Sequence, residues 1–83
     1  MIKLLKFDSS WIVSEIQELD AELGDPDCML KYPYEIVNGE LQKFPKFTDD
    51  REFMVRSLDI KLIAEPDIDT ITLYYELKKQ EKE

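Results

Sequence analysis

Apolar residues recur along the chain in short bursts with turn chemistry between them, the pattern of a small β-rich domain. Ile2, Leu4 and then Phe7 on the other parity, with Lys3 and Lys6 between them, predict a short first strand. Asp8-Ser9-Ser10 supplies a turn, because short polar side chains bond to nearby backbone amides. From Trp11 onward two periods compete. Ile12, Ile16, Leu19 and Leu23 are spaced four, three and four, an amphipathic helix stripe. Ser14 with Gln17 suits a capping box, and Gly24 followed by Pro26 would stop a helix, so local signals predict one from about 14 to 23. The alternative is a bent strand from Trp11 to about Asp20. Trp11-Ile12-Val13 is aromatic and β-branched, and imperfect alternation afterwards is expected where a strand curls. Period alone leaves both open.

Beyond the turn at Asp25-Pro26-Asp27, Cys28 to Val37 reads as a strand, with Pro33 marking an edge or a bulge. Asn38-Gly39 is a strong hairpin signal, since both residues accept positive φ in a type I′ turn. Glu40 to Phe47 returns, interrupted by Pro45, and Thr48-Asp49-Asp50 turns again. Phe53-Met54-Val55 and Ile60 to Ile63 are two short strands separated by Arg56-Ser57-Leu58-Asp59. After Glu65-Pro66-Asp67, the tail from Ile68 admits strand or helix, and Ile71, Tyr74, Tyr75 and Leu77 favour a terminal helix with lysines near its C-terminal end, favourable for the macrodipole.

Composition narrows the function classes. Eighty-three residues make one domain with a thin stability margin, for which disulfides, a metal or oligomerisation are the usual remedies. Cys28 is the sole cysteine and there is no histidine, which removes an internal disulfide and structural zinc and leaves self-association. The lone cysteine fits a reducing compartment. Met1-Ile2-Lys3-Leu4-Leu5-Lys6 is too short and charged for a signal peptide, and no apolar run approaches a membrane span. A soluble, cytoplasmic protein without membrane contact is expected. The chain carries a net charge of −8, and Glu15, Glu18, Asp20, Glu22, Asp25 and Asp27 fall in one segment without a base. That segment reads as a solvated face or as a surface for a basic partner. Asp20, Asp25 and Asp27 lack the ligand number and spacing of a calcium loop, so no metal and no cofactor are expected. With no glycine-rich phosphate loop, nucleophile elbow or Cys–base pair, an enzyme is not expected either.

Two segments resemble the motifs of the Sm/LSm/Hfq family. Ser14-Glu15-Ile16-Gln17-Glu18-Leu19-Asp20 is similar to the first motif, with Ser14 in place of its glycine and Asp20 matching. Val55-Arg56-Ser57-Leu58-Asp59-Ile60 is similar to the second, with Arg56 and Asp59 matching and Ser57 replacing a glycine. The likeness spans roughly residues 2 to 65 and is greatest to small Sm-like proteins of marine phage type. It implies a mainly β fold, a five-stranded, strongly bent antiparallel barrel over residues 1–66, followed by a C-terminal helix and charged tail over 67–83. If phage-encoded, such a protein would work in the cytosol of a bacterial host. The resemblance also implies a homo-oligomeric ring of five to seven subunits. Its fourth and fifth strands pair between neighbours, which puts Phe53, Val55, Ile60 and Leu62 at the interface. The family's nucleic-acid arginine carries over onto Arg56, its asparagine position falls near Cys28 and its stacking position near Asp27, with Lys31 close in sequence. Here the chain departs from the pattern, because Cys28 is a poor hydrogen-bonding partner, Asp27 cannot stack and the loop from Ala21 to Asp27 is longer. A plainer role for Arg56 is a turn residue held by Asp59 or by a neighbouring subunit. Cys28 likewise reads as a small buried hydrophobe. Tyr32, Tyr34, Phe44 and Phe47, with Lys31, Lys43 and Lys46, form the least acidic stretch and a candidate second surface for single-stranded bases.

Three functions follow as expectations. The first is a ring that binds single-stranded RNA or DNA. The second is an acidic module that binds a basic protein or mimics nucleic acid. The third, if the likeness is accidental, is a small α+β dimer with a true helix at 14 to 23.

Overall fold

The structure is a computed structural model and describes residues 1–82. Six strands and one long helix follow in order: β1 (Ile2–Lys6), β2 (Trp11–Glu18), β3 (Cys28–Val37), β4 (Glu40–Lys43), β5 (Glu52–Val55), β6 (Leu62–Ala64) and α1 (Ile68–Lys82). A single 3-10 turn, Ser57–Asp59, lies between β5 and β6. All strand pairs are antiparallel, and the sheet runs β4-β3-β2-β1-β6 with β5 also on β3.

β4 and β5 share one edge of β3. β4 pairs with Tyr34 to Val37 and β5 with Cys28 to Lys31, so the two lie end to end like one strand interrupted by residues 44–51. Arg51 staples that interruption. Its guanidinium donates to the Phe44 carbonyl (2.8 Å) and the Pro33 carbonyl (2.9 Å), while its own carbonyl accepts from Tyr32 N–H. The return strand therefore stops at Lys43 rather than continuing to Phe47 as expected, because Phe44 turns inward to the core and Arg51 holds the loop closed behind it.

The segment from Trp11 is a strand, and the helix predicted over 14 to 23 does not form. A spacing of four satisfies both periods, so Ile12 and Ile16 share a face of β2 as readily as they would share a helix stripe. Leu19 and Leu23 would have decided for helix, but Leu23 is 99 % exposed in the loop. Pro33 lies in an interior strand, at a bulge. Val13 pairs with Tyr34 and Glu15 with Lys31, so Tyr32 and Pro33 together face Ser14, and Tyr32 takes a left-handed φ of 53°. The Asn38-Gly39 hairpin has φ values of 52° and 79°, as a type I′ turn requires. The last strand is shorter than expected. Ile60 closes the 3-10 turn and Lys61 N–H bonds to the Lys6 carbonyl before β6 begins at Leu62.

The sheet buries side chains on both faces. On one, Leu5, Ile12 and Leu30 form a core joined by Phe7, Ile16, Phe44, Val55 and Ile60. On the other, Val13 and Tyr34 pack against Tyr74 of α1, with Ile2, Tyr32, Leu41 and Leu77 around them. The tail helix thus forms half of the core. Asp67 caps its start, accepting from Thr70 N–H at 2.8 Å, which holds the Asp67 carboxyl below its ordinary range. Lys78 pairs with Glu15, and Arg51 Nε lies 2.8 Å from Glu81 Oε1, so the C-terminal turns are tied to β2 and to the stapled loop. The Tyr34 hydroxyl donates to Glu81 as well.

Sheet closure is incomplete. Among the described residues β5 pairs only with β3 and β6 only with β1, which leaves one edge of each open. Among the described residues no helix is long and apolar enough to cross a membrane.

Candidate nucleic-acid interface

β5 ends opposite the start of β3, where Val55 pairs with Cys28. This brings the Arg56 turn against the loop that precedes β3. Asp27 joins the two. Its N–H bonds to the Val55 carbonyl (3.1 Å), and its carboxylate accepts from the Ser57 N–H (2.7 Å) and hydroxyl (2.6 Å). Those two bonds favour the ionised form and hold the Asp27 carboxyl below its usual range. A serine at position 57 therefore has a local use, since it supplies both donors to one carboxylate.

Arg56 is exposed and extended, and its Nε donates to the Gly24 carbonyl at 2.8 Å. Among the described contacts its partner is this backbone oxygen, and Asp59 does not hold it. Arg56, Ser57 and Leu58 form one wall of a cavity of about 230 Å³, and Glu22, Leu23 and Asp25 form the other. Arg56 thus shares its cavity with the carboxylates of Glu22, Asp25 and Asp27. A base could be hydrogen-bonded there, but a phosphate would meet negative charge.

Asp27 and Cys28, placed beside Arg56 by the resemblance, have separate occupations. The Asp27 carboxylate is engaged by Ser57. Cys28 is buried, and burial, with the charges of Asp27 and Glu18, pushes its thiol up, so it is a packed core residue. Lys31 lies at the far end of β5's ladder, opposite Glu52, and strand alternation puts it on the face opposite Cys28. The Arg56 turn and Asp27 come together; Lys31 does not join them. No group of three or more acidic, cysteine or histidine side chains that could hold a metal occurs among the described residues.

The four residues expected at a subunit interface divide. Val55 and Ile60 pack against Leu5, Ile12 and Leu30. Phe53 is half-buried and lines an apolar cavity of about 210 Å³ with Phe7, Leu30, Phe44 and Pro45. Leu62 is 46 % exposed on the open edge of β6, where Ile63 is 56 % exposed. Met54 on β5 and Ile63 on β6 are exposed edge residues that sequence reasoning did not single out.

The second candidate surface also divides. Tyr34 is buried, Phe44 is in the core, and Tyr32 lies beneath the cations of Arg51, Lys78 and Lys82 at 5.1–5.5 Å. Phe47 alone is fully exposed, on a cleft that Lys43 and Lys46 also line. Arg51 was not anticipated at all, because nothing in its neighbourhood marks it among eleven basic residues.

These features define a small domain of one antiparallel sheet, open at two edges and backed by a single C-terminal helix. It belongs to DUF6561, a family of unknown function whose model matches residues 1–79. No curated protein matches the chain.

Proposed function

We propose that the protein is a non-enzymatic Sm-like module that assembles into a ring and holds single-stranded RNA or DNA at its Arg56 turns. The observation that carries this reading is connectivity. With β4 and β5 counted as one interrupted strand, the sheet order is that of the five-stranded Sm-like barrel, with a 3-10 turn after the arginine and before the last strand. Bending that sheet further would give the barrel. Pairing β5 of one copy with β6 of the next would cover Met54, Leu62 and Ile63 and close the free edges of both strands. A ring also repeats a weak contact, so modest affinity at each Arg56 becomes useful avidity.

Light scattering on a sizing column tests the assembly. A discrete species of five to seven subunits is expected, and a monomer or dimer would refute the ring. Arg56→Ala should weaken oligonucleotide binding severalfold with the mass unchanged; equal binding removes Arg56 from the site.

One observation favours a second reading, a surface for a basic protein. Arg56 is already engaged by Gly24 within a rim that includes Glu22 and Asp25. Replacing Glu18, Glu22 and Asp25 by lysine separates the two. It would abolish salt-sensitive capture of a basic partner, whereas the nucleic-acid reading expects tighter oligonucleotide binding.

A further inference from the structure

The loop between β4 and β5 has a property that core packing does not explain. Phe44 and Phe47 lie three residues apart, and Phe44 is built into the core while Phe47 is fully exposed. Phe47 also takes φ of +70°, a left-handed conformation that is costly for a bulky side chain and persists only where its surroundings impose it. Those surroundings are hydrogen-bonded on both sides of it. Arg51 fixes the Phe44 carbonyl, Phe44 N–H bonds to the Pro33 carbonyl (3.2 Å), and Thr48 Oγ1 accepts from Asp50 N–H (3.1 Å). The aromatic ring is thus presented at the tip of a braced loop. Beside it lies an open cleft of about 400 Å³ bounded by Lys43, Lys46 and Asp49.

We infer that this loop is a contact site for single-stranded nucleic acid, in which one base stacks on Phe47 and Lys43 and Lys46 hold the flanking phosphates. The proposal shares its ligand class with the function above but rests on a different surface and needs neither the ring nor Arg56. One exposed ring on a cleft that two lysines also line suits one stacked nucleotide, and stacking tolerates any base because each has a π face. A protein partner would call for further apolar residues around the ring, and besides Phe47 the cleft offers only Pro45. The acidic segment at 15–27 does not forbid nucleic-acid contact, since exposed charges farther away than about 8 Å are largely screened at physiological salt. The four residues of β5 separate this loop from Arg56 by about 13 Å at strand rise, so the two contacts are physically distinct.

The test is fluorescence anisotropy with fluorescein-labelled oligo-dT and oligo-U, using the full chain. Phe47→Ala should raise Kd by about 5- to 100-fold, the range for losing one stacked base. Phe47→Trp should retain binding and show emission quenched by oligonucleotide beyond any change in Trp11 of the wild type. Two phosphate contacts predict a log–log salt slope of about −1.4 from this site, which Lys43→Gln with Lys46→Gln should remove. Thermal melts verify that these surface variants remain folded. An unchanged Kd for Phe47→Ala, or emission from Phe47→Trp that ignores oligonucleotide, overturns the proposal. So does Phe47-dependent sedimentation with anionic vesicles while oligonucleotide binding is unaffected. If Arg56→Ala abolishes binding and Phe47→Ala does not, the loop proposal fails and the Arg56 reading stands; the reverse pattern keeps the loop and rejects Arg56. Wild-type protein that binds neither oligonucleotide rejects both.

Discussion

Replacing Tyr74 by phenylalanine removes one oxygen and disturbs two backbone groups. The Tyr74 hydroxyl accepts from Glu15 N–H (3.3 Å) and donates to the Lys31 carbonyl (3.1 Å). Lys31 retains a second donor, the Ser14 hydroxyl at 3.1 Å, so the carbonyl stays satisfied and the Glu15 N–H is the group left unpaired. A buried donor without a partner costs about 1–3 kcal/mol, and the length of the original bond puts the loss near the lower end. Tyr74→Ala also removes a fully buried ring packed edge-on to Tyr34 at 5.6 Å, which raises the loss to about 4–5 kcal/mol. A domain of 83 residues has about 4–12 kcal/mol in all. The phenylalanine variant should therefore fold, while the alanine variant should lose most of its stability. Urea unfolding followed by circular dichroism and Trp11 fluorescence, at one protein concentration, measures both. With a slope of about 1 kcal/mol/M, Tyr74→Phe should lower the midpoint by about 1 M. An alanine variant within about 1 kcal/mol of wild type would refute the docking of α1 through this residue.

Arg51→Met leaves the Phe44 carbonyl without its donor and the Glu81 carboxylate without its cation, and should cost about 3 kcal/mol in the same assay. Glu81→Gln should cost distinctly less, and equal losses would argue against the staple. Asp27 is held below its ordinary 3.8 by Ser57, so its stabilising effect is complete above that pH and is lost as pH falls through the lower folded value. The Ser57 amide resonance should accordingly titrate only below about pH 3.8; movement between pH 4 and 6 would contradict the pairing. Burial raises the Cys28 thiol, so a disulfide reagent at pH 8 should react slowly with native protein and rapidly in urea. Rapid reaction of the native protein would show that the thiol is open.

Most strands were legible because their signals are local. Asn38-Gly39 can hardly be other than a hairpin, and Asp67 followed by an apolar stripe of spacing three and four announces α1. The segment from Trp11 was not legible from its period, because Ile12 and Ile16 obey both, and the bulge that bends β2 against β3 is set by Tyr32 and Pro33, some twenty residues away; the family resemblance was what favoured the strand that forms. The candidate site was legible in part. Arg56 was visible as a residue in a turn, but its partner is a backbone oxygen of Gly24, and a carbonyl leaves no mark on side-chain spacing. Arg51 was invisible for the same reason, since it too answers to carbonyls. Phe47 could be seen as an aromatic, but its separation from Phe44, one inward and one outward, depends on where the loop is pinned.

The two open edges are unlike each other, which limits what copies of this chain can build from them. β5 ends in the Arg56 turn and β6 begins after it, so pairing one edge with the other is a head-to-tail contact that a two-fold axis cannot satisfy. Growth by such contacts stops only when the rotation per subunit divides a full circle; otherwise it continues as a helical filament. That rotation is governed by how far the sheet bends, and hence by the bulge where Tyr32 and Pro33 face Ser14. In the proposed ring, a substitution there would leave every edge residue in place and still alter the rotation on which closure depends.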